Sequence, residues 1–175
     1  MIIAEQKRKE NIAEYILYMY QVEDMIRANE LNLDNIENSL INKFDVPYEV
    51  KREMREWYKS LIEMMHNEKK EEKGHLEILN LIVEKMHELH HHLLDQGIDI
   101  HYKEIFKKAQ PNIEALRMRS GHGTSNDIQL ALNGLYGLLI LRLQKTPITE
   151  DTLKAFASIQ ELIATLSSKY MEQPA

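Results

Sequence analysis

The chain has 175 residues, a net charge of −6 and no cysteine. That length suits one compact domain, which buries roughly 70% of its unfolded surface without covalent staples, and residues 1–175 are read as a single helical domain. The missing thiols exclude disulfides, thiolate zinc sites, iron–sulfur clusters and a cysteine nucleophile, and the acidic balance argues against a nucleic-acid partner, because phosphate binding needs a clustered basic surface.

The one dense basic spot, Lys7-Arg8-Lys9, is flanked by Glu5 and Glu10. Charges begin at Glu5, before any apolar run of useful length, so a secretory signal is not expected here. Apolar residues recur at spacings of three and four, the period of a helix. The first predicted helix runs from about Ala4 to Asn29, with Ile12, Ile16, Met19 and Ile26 on one stripe widened by Tyr15, Tyr18 and Val22. Glu23 falls on the same stripe with Arg27 one turn on, and a partly buried Glu23–Arg27 pair is expected. A carboxylate on an apolar face can also be an acid of raised pKa, but no second acid shares such a setting, so an acid–base pair is unsupported.

A short helix follows, with Asp34 as N-cap, Glu37 at the capping-box position, and Ile36 and Leu40 as anchors. Pro47 opens the third helix, where its missing N–H costs least; Met54, Trp57, Tyr58, Leu61, Ile62 and Met65 form its buried face. No apolar residue occurs from His66 to His75. The like-charged pairs Glu68/Glu72 and Lys69/Lys73 weaken a helix there, and Gly74 suits a left-handed cap. This predicts a hairpin turn near residue 72, against the alternative of one long solvated helix.

The fourth helix, about 75–96, carries Leu76, Leu79, Val83, Met86, His90 and Leu93 as an alternating seam, and Gly97 ends it. Asp99 caps the fifth helix, in which Pro111 is expected to make a kink or a break. The sixth spans about 125–144, and Thr149 caps a last helix over about 150–171 with Leu153, Phe156, Ile163, Leu166 and Tyr170 as its stripe. The most apolar stretch, 128–143, contains Gln129, Asn133 and Arg142. It is shorter than the roughly 20 apolar residues of a membrane span, so it reads as a central core helix. Ala131, Gly134 and Gly137 recur at threes and would let a neighbour approach closely. The expected fold is all-α, a mostly antiparallel bundle of six or seven helices.

Residues 84–92 read Glu-Lys-Met-His-Glu-Leu-His-His-His and hold four of the eight histidines. His87-Glu88-Leu89-His90-His91 matches H-E-x-x-H, the pattern by which two imidazoles one turn apart bind zinc and a glutamate activates water. A catalytic site needs a third ligand; His101, Glu104, Glu114 and His122 are the available donors, none in a signature position. The competing reading is a polar helix flank with His90 turned into the seam. Glu-x-x-His occurs four times, at 63/66, 72/75, 84/87 and 88/91. A di-iron bundle needs two such motifs at one level on facing helices. With a turn at 72 the pairs stand roughly 9 Å apart along the axis, which rejects that reading.

Arg117, Arg119 and His122 precede the sixth helix, with Gly121 and Gly123 allowing close approach; together they are a candidate anion site. The spacing is not that of a P-loop, and no nucleophile elbow is present.

The segments MIIAEQKRKENIAEYILYMYQVEDMIRA (1–28) and LNGLYGLLILRLQK (132–145) resemble an uncharacterised family of small bacterial proteins known only as a domain of unknown function. The resemblance implies an all-helical cytoplasmic protein and brings no activity, cofactor or catalytic residue. The leading expectation is therefore a cytoplasmic, non-enzymatic interaction or regulatory module, a homodimer or the binder of a protein partner. No cofactor, no nucleic-acid partner and no membrane partner are expected. The alternative is a metal-binding protein or metal-dependent hydrolase using His87, Glu88 and His91.

Overall fold

The computed structural model describes residues 2–95, 99–120 and 126–173. Among them are α1 (Ile2–Glu10), α2 (Ile12–Ala28), α3 (Leu33–Ser39), α4 (Tyr48–Asn67), α5 (Glu77–Asp95), α6 (Ile100–Ser120), α7 (Asp127–Leu143) and α8 (Glu150–Met171), with a 3-10 turn at Ile41–Lys43 and no strand. The all-α expectation holds. Eight helices rather than six or seven follow from a break in the first predicted one.

That break is at Asn11, whose backbone is extended at φ −156° and ψ 104°. Its side chain accepts the Glu14 amide, and Ser167 of α8 donates to the same Oδ1 at 2.8 Å while accepting the Ala13 amide. A cap of this kind is worth about 1 kcal/mol, and buried Ser167 holds it from a distant helix. The N-cap of α3 also differs from expectation. Asn32, not Asp34, accepts the first-turn amides, those of Asp34 and Asn35. Asp34 and Glu37 instead hold the Arg55 guanidinium of α4 at 2.7 and 2.6 Å.

The helix breaks where the turn is predicted, between Asn67 and Glu77, but α5 packs mainly on α6, α7 and α8 rather than back on α4, and the left-handed cap is Lys69 rather than Gly74. Lys70 bonds back to the Met65 carbonyl and Lys69 to that of His66, the paired closure of a Schellman motif. Glu30 and Lys145 close α2 and α7 in the same way at positive φ. Gly74 does take φ +83°, inside the loop. Pro111 lies inside α6, which runs on through it. Proline forfeits one backbone bond, and burial of Ile105, Ala109 and Ile113 holds the helix together on both sides of it.

Every pair among α5, α6, α7 and α8 is in contact; α2 packs on α7 and α8, and α1 on α2. The buried apolar side chains other than Leu138 form one connected cluster. α7 is central, as its apolarity predicts, and α8 shares that position, but Leu141 and Leu143 in the last turn of α7 are exposed. The small residues of α7 have separate roles. A Cβ on Gly134 would lie 2.6 Å from Leu116 Cδ1 and 3.2 Å from Phe156 Cε1, so α6 and α8 approach closely there. A Cβ on Gly137 would meet nothing within 4 Å. No helix among the described residues is long and apolar enough to cross a membrane.

Candidate functional site

The seam spacing of α5 places His90 fully in the core, at 0% exposure. Its Nδ1 shares a 2.6 Å hydrogen bond with the Tyr102 hydroxyl of α6, and its ring meets Phe106 edge to face at 4.7 Å. Burial, helped by the neighbouring His91 and His87, pushes its pKa down to about 4. His87, half-buried, stacks over His90 with centroids 6.2 Å apart and planes 17° from parallel. Desolvation and His91 lower the His87 pKa, while Asp127, Glu84 and Glu88 oppose them. One turn on, His91 is exposed, and its Nε2 stands 3.1 Å from His87 Nε2. His87 Nδ1 and His90 Nε2 are buried with no hydrogen-bond partner among the described residues.

Of the residues in the H-E-x-x-H match, His87 and His91 are thus brought together, and Glu88 is exposed. Among the described residues no group of three His, Asp or Glu is placed to hold a metal. His101, Glu104 and Glu114 do not join the pair, and His122 lies outside the described residues. A water-activating zinc centre with three protein ligands is therefore not assembled by the described residues.

Arg117 of the candidate anion site is engaged by carboxylates. It bonds Asp127 at the start of α7 and Glu114 one turn back in α6. These partners place negative charge where an anion would sit. Arg119 is exposed at the end of α6, and His122, as stated, is not described.

A third cluster escapes sequence reasoning. Glu23 of α2 is 1% exposed, yet it does not pair with Arg27. Its Oε2 lies 2.6 Å from His75 Nδ1, and its Oε1 accepts the Leu76 amide at 2.8 Å. Arg27 instead donates to the Lys70 carbonyl at 3.3 and 3.0 Å, to the Gly74 carbonyl, and to Asp24. The His75 ring stacks on Tyr20 at 3.5 Å, and Tyr20 accepts from Gln129 of α7. Burial pushes the Tyr20 hydroxyl up to about 12. Tyr136 of α7 donates to Asp24 at 2.6 Å. The outcome is a clamp: two residues of α2, one turn apart, hold both ends of the loop that feeds α5. The apolar position of Glu23 was the only sequence signal, because its partners come from another part of the chain.

An apolar cleft lies between α1 and the corner that leads into α4. Ile3, Phe44, Val46, Val50 and Met54 line it, Glu5 and Glu53 edge it, and its volume is about 420 Å³. Ile3 and Phe44 are 42% and 37% exposed.

The model of a family described as a domain of unknown function (DUF4924) matches residues 1–175. No curated protein and no solved structure matches the chain.

Proposed function

Because the chain belongs to the family described as a domain of unknown function (DUF4924), we propose its function from geometry: a cytoplasmic, non-enzymatic helical interaction module that pairs with a second copy of itself beside α1. The observation that carries this reading is the half-open apolar cleft lined by Ile3, Phe44, Val46, Val50 and Met54. Contiguous exposed apolar surface with a polar edge is the usual mark of a protein contact. The charge pattern of α1 favours self-pairing. Its first turn carries Glu5; its last turn carries Arg8, Lys9 and Lys7, the last bound to Glu14, ahead of the closing Glu10. Two copies related by a two-fold axis would lay α1 antiparallel to α1, bringing the basic end of one to the acidic edge, Glu5 and Glu53, of the other. The cysteine-free composition supports a reducing compartment.

Seven residues line the cleft, against roughly 20–30 a side in a stable interface, so the dimer is weak. Sedimentation equilibrium up to about 200 μM, a range that captures micromolar association, tests it. A monomer–dimer equilibrium is expected, shifted to monomer by Phe44→Glu with an unchanged helical spectrum. A chain that stays monomeric across that range sinks the proposal.

A further inference from the structure

We infer that His87 and His91 form a two-nitrogen chelate for a borderline divalent transition cation, with zinc the natural probe, on the flank of α5. The inference is independent of self-association. Their spacing puts both imidazoles on one face of the helix, one turn apart. The two Nε2 atoms are 3.1 Å apart while the ring centroids are 4.4 Å apart, so the rings approach each other nitrogen-first. Two zinc–nitrogen bonds of roughly 2.05 Å at a tetrahedral angle span roughly 3.3 Å, and at a right angle roughly 2.9 Å. The observed separation lies between these two values. A cation seated between the nitrogens needs movements of only a few tenths of an ångström.

One of the two ligands is held in advance. His87 stacks against His90, and His90 is fixed by Tyr102 and by the edge of Phe106. That buried support distinguishes the pair from two histidines free on a surface. Glu84, Glu88 and Asp127 place negative charge near His87, against the larger effects of desolvation and His91. Asp127 also holds the Arg117 guanidinium, which Glu114 shares. Imidazole nitrogens select zinc, copper or nickel over magnesium and calcium, which require oxygen donors. No third His, Asp or Glu joins among the described residues, so water fills the remaining positions and the site is a binding site, not a peptidase centre.

The competing account of the same geometry is a plain N–H···N hydrogen bond between two neutral rings. Calorimetric titration of zinc chloride into the full chain, stripped with chelator, separates the two. Saturable binding of one zinc per chain is expected. Loss of a ligand must weaken it at least as much as loss of an outer-sphere partner does, roughly tenfold or more, in His87→Ala and in His91→Ala alike. His92→Ala, an exposed neighbour outside the pair, leaves affinity unchanged. Zinc raises the melting temperature of the wild-type chain and not that of His91→Ala. Because His91 is exposed, that variant decides the matter even if His87→Ala folds poorly. Absence of saturable binding, or equal binding by His91→Ala, or equal losses in His92→Ala, overturns the inference.

Discussion

Glu23 and His75 stand 2.6 Å apart, carboxylate oxygen to imidazole Nδ1, with 52 positions of chain between them. Desolvating a carboxylate costs several kcal/mol unless its oxygens are satisfied. Here one oxygen takes the imidazole and the other the Leu76 amide. The buried charge thereby fixes where α5 begins. Arg27 adds the second hold, on the carbonyls of Lys70 and Gly74.

Removing the Glu23 carboxylate strands the Leu76 amide and the imidazole together. Glu23→Ala is expected to cost about 2–3 kcal/mol, and Glu23→Gln less, because an amide oxygen can still accept from Leu76. Urea denaturation measures the difference. Hydrogen exchange should show faster exchange concentrated in residues 68–77. A Glu23→Ala variant as stable as wild type would mean that the clamp contributes nothing.

The two glycines of α7 should respond in opposite directions to alanine. At Gly137 nothing stands within 4 Å of an added Cβ, so Gly137→Ala gains the helix propensity of alanine, about 1 kcal/mol. At Gly134 the methyl collides with Leu116 and crowds the Phe156 ring. Overpacking outweighs the propensity gain there, for a net loss of about 1–2 kcal/mol. Thermal unfolding of the two variants side by side checks the sign of each.

Lys69 closes α4 at φ +56°. A non-glycine residue in that region carries strain of about 1 kcal/mol or more, part of which glycine returns as chain entropy in the unfolded state. Lys69→Gly is therefore expected to stabilise by about 0.5–1 kcal/mol, read as a higher urea midpoint. The opposite change, Gly74→Ala at φ +83°, should lower it.

In chelator-treated protein, His90 should make stability depend on pH. Its folded pKa is held at about 4, mainly by burial, with His91 and His87 on its own helix adding to the effect and Tyr102 of α6 as its hydrogen-bond partner. The unfolded chain takes up the proton near the ordinary value, about 6.5. Stability is therefore complete above that pH, falls progressively toward pH 4 and levels off below it. Between pH 7 and pH 5 the loss is about 2 kcal/mol. His90→Leu should lose less stability over that interval than wild type, measured as urea midpoints at the two pH values. Equal losses would show that His90 does not set the dependence.

Much of this architecture was legible locally. The seam spacing put His90 in the core, Asp99 and Thr149 were recognisable caps, and the charged run ending at Gly74 marked the turn. The break at Asn11 also had a local signal, since Asn11-Ile12-Ala13-Glu14 is a capping box, but the apolar stripe running through it suggested one helix. What decided for a break was Ser167, arriving from α8. At the start of α3 two polar candidates, Asn32 and Asp34, competed, and Arg55 drew Asp34 and Glu37 away from capping.

Most helix positions and buried faces follow a repeat of three or four residues, so the sequence by itself determined them, apart from the break at Asn11 and outlying stripe residues such as Leu153, which is exposed. It also determined that His87 and His91 share one face of α5, because one turn of helix separates them. Which charges meet was decided only by the tertiary structure. Glu23 had a near neighbour in Arg27, and packing turned one toward His75 and the other toward the loop carbonyls. Such partners depend on how the helices are set against one another, and no periodicity along the chain records that.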